Sequence, residues 1–211
     1  ITTPGGGSTG YPTPYASAEE GAPASIAHRL HYDHAVTGNL RLRLAGSVRD
    51  RDGRAMDFAN VAAEARWQVA SRATRGFDAG LIVHFAVPTS PGAPERMRFG
   101  LPVSIDIGED WQVRAIAFTG AEFGDSARDG ALMETRFEAT RRVGGRRVGA
   151  QMFSDYNTTA APGRFDDQRH QLGFVVKGEL LPRLNYESGA LFGVSDAAAD
   201  VDLRLFLNYG F

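Results

Sequence analysis

The chain has 211 residues, of which 43% are hydrophobic, and a formal net charge of −2 at pH 7. That length is enough for one domain, and the slight negative charge gives no electrostatic reason to expect nucleic-acid binding. The chain contains no cysteine, which excludes disulfides and thiolate metal sites. No stretch reaches the roughly 20 apolar residues that a membrane-spanning helix needs.

Residues 1–25 are rich in glycine, proline, serine and threonine and have no lasting periodicity. They are predicted to form an irregular N-terminal segment. From Ile26 onward apolar and polar residues alternate, which is typical of strands with two different faces. The predicted domain is therefore 26–211, with eleven candidate strands at 26–36, 39–48, 56–70, 76–87, 96–107, 111–122, 131–143, 146–156, 168–180, 184–194 and 201–211.

The connections between these strands alternate in length. Tight turns such as Thr37-Gly38 and Gly144-Gly145 are followed by longer polar links such as 88–95 and 157–166. Most candidate strands are near or above the roughly 9–11 residues that a tilted strand needs to cross a bilayer. Short turns at one end and long loops at the other are typical of an antiparallel up-and-down barrel in an outer membrane, with the turns in the periplasm.

One face of the strands is apolar and the other is charged. In 39–48, for example, Leu40, Leu42 and Leu44 alternate with two arginines, and an apolar outward face predicts a charged face towards the lumen. The predicted lumen-facing residues are Arg41, Arg43, Glu64, Arg66, Arg96, Arg98, Asp106, Arg114, Glu134, Arg136 and Arg204.

Aromatic residues on the apolar face cluster towards the two ends of the strands. Girdles at both ends are expected where an apolar barrel face meets lipid headgroups. The alternative is that aromatic side chains cap the core of a soluble barrel. The predicted lipid-interface aromatics are Trp67, Phe77, Phe99, Trp111, Tyr186, Tyr209 and Phe211.

The sequence ends with VDLRLFLNYGF, in which apolar residues occupy every second position up to a terminal phenylalanine. This stretch resembles the C-terminal strand signal of Gram-negative outer-membrane β-barrel proteins. The matching residues are Leu203, Leu205, Leu207, Tyr209 and Phe211. The resemblance implies insertion by the barrel assembly machinery and an outer membrane with phospholipid and lipopolysaccharide around the barrel.

An odd number of strands does not fit this class, because single-chain bacterial barrels have an even number. We therefore expect twelve strands, with the first supplied by part of residues 8–20 and paired with 201–211. The alternative is that residues 1–25 thread the lumen as a plug and that the strand count is off by one elsewhere.

Two small clusters are candidates for chemical sites. His28, His31 and His34 recur every third residue, which on a strand places successive side chains on opposite faces, so no metal site and no cofactor are predicted. Ser154, Asn157 and His170 fall on one predicted hairpin and could form a nucleophilic group, but no surrounding motif supports it.

The charged lumen favours a narrow passive channel for small hydrophilic, possibly anionic, solutes over an enzyme. A lumen filled by paired charges is the alternative to an open path. The rival functions are a non-conducting barrel that anchors or stabilises another outer-membrane protein and, third, an outer-membrane lipid hydrolase. A soluble ligand-binding barrel is the fourth.

Overall fold

The computed structural model describes residues 25–51 and 57–210, which form one antiparallel sheet. Within these residues no helix is long and apolar enough to span a membrane. One helical turn, α1 (Arg72–Arg75), and a 3₁₀ turn at Phe165–Asp167 interrupt the strands. The strands are β1 (Ser25–Ala35), β2 (Leu40–Arg51), β3 (Asp57–Ala70), β4 (Phe77–Pro88), β5 (Glu95–Ile107), β6 (Trp111–Phe123), β7 (Leu132–Val143), β8 (Arg146–Thr158), β9 (Arg169–Leu181), β10 (Leu184–Gly193) and β11 (Val201–Tyr209).

The sheet is a meander in which each strand pairs with the next one along the chain, from β1 to β11. Tight hairpins such as the one between β7 and β8 require a positive φ, which Gly144 adopts at 59°. The alternation of short turns and long loops then keeps all the turns at one end, the turn end, and all the long links at the other, the loop end. The predicted up-and-down antiparallel architecture is confirmed.

The sheet curls around a lumen. Arg204 on β11 lies over the ring of Phe153 on β8, and side chains from β1 and β11 border the same cavity as side chains from β4 and β8. Contacts between strands that are not neighbours in the sheet require this curvature. Within the described residues β1 and β11 are the two edges of the sheet.

Alternating residues separate a lumen face from an outward face. Leu42 and Leu44 of β2 are exposed, whereas Arg43 between them and Ala45 after them are buried. The outward leucines are most exposed on the edge strands, where Leu30 is 83% and Leu203 78% accessible. The apolar side chains therefore cover the outside, which is the reverse of a water-soluble barrel.

The eleven strands match those predicted from 26–211, with shifts at their ends. The largest shift is in β2, which continues to Arg51 and not to residue 48, and the connection at residues 71–75 is a helical turn. The predicted twelfth strand, or plug, lies outside the described residues, except that Ser25 already belongs to β1. Eleven strands are thus shown, and twelve stays a prediction.

Candidate functional site

The predicted lumen-facing residues lie on the concave face, where they form several separate groups. Buried among them are Arg43, Glu64, Arg98, Arg136 and Arg204, while Asp106 is exposed at the turn end. The half-buried members are Arg41, Arg66, Arg96, Arg114 and Glu134.

A cavity of about 380 Å³ occupies the loop end of the lumen, and we call it the vestibule. Its lining includes seven arginines but only three carboxylates, so its walls are predominantly positive. Such a volume lies within the range of pockets that hold small organic molecules. The arginines are Arg29, Arg49, Arg96, Arg98, Arg136, Arg169 and Arg204, and the carboxylates are Asp57, Glu134 and Asp155.

The floor of the vestibule is a layer of arginines and aromatic rings. The guanidinium of Arg136 lies 4.7 Å from the ring centre of Phe118 and 5.8 Å from that of Phe153. Arg204 covers Phe153 at 4.5 Å, and Arg98 lies 5.6 Å from Phe118. Cation–π contacts of this kind stabilise guanidinium groups that have lost water. The layer borders the vestibule through Arg98, Arg136, Phe153 and Arg204.

One carboxylate bridges two of these arginines. Glu134 accepts a hydrogen bond from Arg98 Nη1 at 2.8 Å through Oε1 and another from Arg136 Nη2 at 3.1 Å through Oε2. Arg204 has a separate partner, since its Nε and Nη2 donate to Asp202 Oδ2 at 3.0 and 2.6 Å. Charge-assisted hydrogen bonds thus join β5 to β7 in the floor, whereas those of Arg204 stay within β11.

Below the floor the lumen is filled. The Lys177 ammonium lies 2.5 Å from a Glu138 oxygen and 2.9 Å from a Glu187 oxygen, and Thr140 and Val175 beside them are fully buried. At the turn end Arg72 of α1 forms ion pairs with Asp78 and Asp106. Positive and negative groups therefore alternate here, and the pair of Lys177 and Glu138 spans from β9 across β8 to β7.

The first arginine pair of the sequence lies away from the vestibule. Arg43 donates to both oxygens of Asp33, at 2.7 and 2.8 Å, and Arg66 forms an ion pair with Glu64. Neither Arg41 nor Arg43 borders the cavity, whereas Arg96 and Arg98 do. The two arginine pairs, similar in sequence, thus have different surroundings.

The predicted interface aromatics lie mostly on the outward face. Tyr186 is half-buried and not exposed, because its ring packs over Gly178 on β9, where a Cβ atom would lie 3.0 Å from the ring. Phe211 lies outside the described residues. The exposed members are Trp67, Phe77, Phe99, Trp111 and Tyr209.

Ser154 and His170 are hydrogen-bonded, but Asn157 is not the third member of the group. Gln168 Nε2 donates to the Pro162 carbonyl at 3.1 Å, so Gln168 Oε1, 3.0 Å from His170 Nε2, is the acceptor of that hydrogen bond. The His170 proton is then on Nε2, and Ser154 donates its hydroxyl hydrogen to Nδ1 at 2.9 Å. Asn157 instead donates to the carbonyls of Pro162 and Asp167.

This group lies on the outward face at the loop end, under a loop. The Phe165 ring stacks on His170 with 4.5 Å between ring centres, and Tyr156 meets it edge-on at 5.5 Å. Met152 and Leu172, two residues away on the same face, are exposed. A serine hydroxyl thus faces a neutral histidine beside an apolar surface.

Among the described residues, no group of three or more His, Asp or Glu side chains is arranged so that it could hold a metal ion. His31 Nε2 lies 3.8 Å from Asp33 Oδ2 on the same strand. That carboxylate is already the acceptor for Arg43.

Sequence reasoning missed four residues of these sites, namely Phe118, Phe153, His84 and Gln168. Phe118 and Phe153 occupy lumen positions of β6 and β8, so an aromatic residue on an otherwise polar face was the available signal. His84 lies 3.4 Å from Arg98 through Nδ1 and follows the same alternation. No local pattern pointed to Gln168.

No protein-family model and no curated protein matches the chain. Solved structures do match, among them the NanC porin in a rhombohedral crystal form, with a TM-score of 0.61 at 11% sequence identity. The alignment covers 89% of this chain and 94% of that porin. The fold is therefore that of a porin-type antiparallel β-barrel.

Proposed function

We propose that the protein is an outer-membrane β-barrel that acts as a narrow passive channel for small hydrophilic anionic solutes. The observation that carries the proposal is the vestibule, in which seven arginines and three carboxylates line one cavity. Rings of one charge sign are how pores select ions.

An outer-membrane location is supported by the outward face. Exposed leucines, valines or phenylalanines occur along every strand, and the exposed Trp67, Trp111 and Tyr209 lie near the turn end. Such a surface is stable in lipid and aggregates in water. We expect lipid and lipopolysaccharide to contact it, and the assembly machinery to read Leu203, Leu205, Leu207, Tyr209 and Phe211.

The test is single-channel conductance of the detergent-purified protein in a planar bilayer, with a salt gradient to read selectivity. We expect discrete steps with a preference for anions. A silent bilayer from protein whose folding is shown by heat-dependent gel mobility would refute the channel. Co-purification of a second outer-membrane protein would then favour an anchoring role.

A second candidate function, ester hydrolysis, is favoured by the hydrogen bonds from Ser154 to His170 and on to Gln168. Ser154 Oγ would attack an ester carbonyl while its proton passes to His170 Nδ1 and then to the leaving alcohol. Water would release the acyl group by the same route. The adjacent apolar surface suits a lipid ester.

A fluorophosphonate probe tests this second function. Labelling of the native protein that disappears in Ser154→Ala, with Ser195→Ala as the matched control, would support it. Ser195 is the suitable control because its hydroxyl binds the backbone of Gln168 and His170 and not the imidazole. Absence of labelling in folded protein would rule the hydrolase out.

A further inference from the structure

The floor of the vestibule carries more donor groups than the chain itself satisfies. Arg98 Nε and Arg204 Nη1 are buried and have no hydrogen-bond acceptor among the described residues. Both residues border the vestibule. Buried guanidinium N–H groups without an acceptor are costly, so a ligand that brings oxygen atoms to this floor would stabilise it.

Glu134 occupies the place that such a ligand would take. Its two oxygens are divided between Arg98 and Arg136, a bridging arrangement that any small carboxylate could reproduce. Glu134 also borders the vestibule, so the bridge is on the cavity side of the floor.

Arg98 has a second, weaker partner. It contacts His84 Nδ1 at 3.4 Å, which is a weak substitute for a carboxylate, while the Arg136 guanidinium also lies over the rings of Phe118 and Phe153. Removing the charge of Glu134 would therefore leave two adjacent guanidinium groups that repel each other. An incoming anion would relieve that repulsion.

We infer that Arg98 and Arg136 form a carboxylate-binding site at the floor of the vestibule, and that Glu134 is its built-in competitor. The inference rests on the proposed channel in naming a passing solute as the ligand. The ligand class is a small organic carboxylate with a hydroxylated body, since Asn60 and Gln171 offer amide groups higher in a cavity of about 380 Å³. A solute binds by displacing the Glu134 carboxylate.

Calorimetric titration of the detergent-folded barrel with gluconate tests the site directly, with sorbitol as the uncharged control. We expect Glu134→Gln to bind gluconate about tenfold more tightly than the native protein, because a charge-assisted competitor has been removed. Arg98→Gln in the Glu134→Gln background should remove that gain. Sorbitol should not bind measurably to the native protein or to either variant.

Glu138→Gln is the matched control, because Glu138 lies four residues further along β7 on the same face but pairs with Lys177 below the floor. It should leave gluconate affinity unchanged. Equal affinity of the native protein and Glu134→Gln, or binding by neither, would overturn the inference. If Glu134→Gln does not fold, Glu134→Asp replaces it, since a shorter carboxylate cannot span both arginines and should also tighten binding.

Bilayer recordings of the same preparations distinguish failure of the proposed channel from failure of the proposed carboxylate site. Anion-selective conductance with unchanged gluconate affinity in Glu134→Gln would leave the channel standing and refute the competitor. Tightened gluconate binding in a protein that never conducts would keep the site and refute the channel.

Discussion

The two halves of the lumen are built from the same residue types but differ in how the charges are paired. At the turn end Lys177 lies between Glu138 and Glu187, and the neighbouring side chains fill the space. At the loop end arginines outnumber carboxylates, and a cavity is present. A charged lumen face therefore becomes either a filled polar core or a solute site, depending on whether partners of opposite sign lie within reach.

The largest expected effect is on stability and falls in the turn-end half. Lys177→Met should lower the free energy of unfolding by about 3–5 kcal/mol, because it leaves two buried carboxylates without their cation. Denaturant unfolding of the detergent-folded protein measures this. Arg96→Gln is the control, with an expected loss below about 1 kcal/mol, because the Arg96 side chain is 44% exposed. Equal losses in both variants would contradict the distinction between the halves.

The next effect concerns the layer between the halves. Phe153→Ala should raise single-channel conductance severalfold, because the ring that packs against both Arg136 and Arg204 takes up space in the lumen. Phe137→Ala on β7 is the matched control, since Phe137 faces outward. Unchanged conductance in Phe153→Ala would place the main barrier to ions elsewhere in the lumen.

Ion selectivity should separate the two arginine pairs. Neutralising Arg96 and Arg98 to glutamine should reduce the preference for anions, because both line the vestibule. Neutralising Arg41 and Arg43 should change it less, since neither borders that cavity and Arg43 is paired with Asp33. Reversal potentials in a salt gradient report the result. A larger change from neutralising Arg41 and Arg43 would show that the selective region is at the turn end.

The smallest effect is expected at the rim of the vestibule. Arg128, in the link between β6 and β7, donates from its backbone N, Nε and Nη2 to Glu122, and the side-chain hydrogen bonds raise the pKa of the Arg128 guanidinium. Arg128→Gln should still cost less than about 1 kcal/mol of unfolding free energy, because the side chain is 42% exposed and the pair is screened by water. A loss as large as that of Lys177→Met would show that this pair stabilises the barrel as strongly as the buried one.

The sequence predicted the candidate sites only in part. Alternation along β5 and β7 correctly put Arg98, Glu134 and Arg136 on one face, but could not show that Glu134 bridges the two arginines, which depends on strand register and curvature. Ser154 and His170 were predicted to be close, and their strands pair directly. Asn157, the third residue of that candidate group, does not join the other two, because the loop after β8 turns its amide towards the backbone of Pro162 and Asp167.

The sequence by itself determined the antiparallel meander, the apolar outside and the charged inside, because a period of two and the turn chemistry are local properties of the chain. The tertiary structure alone decided that Phe118 and Phe153 pack against Arg136 and that only some of the arginines border the vestibule. Those outcomes depend on which side chains face one another across the curled sheet. Local sequence patterns do not show which residues far apart in the chain are close in space.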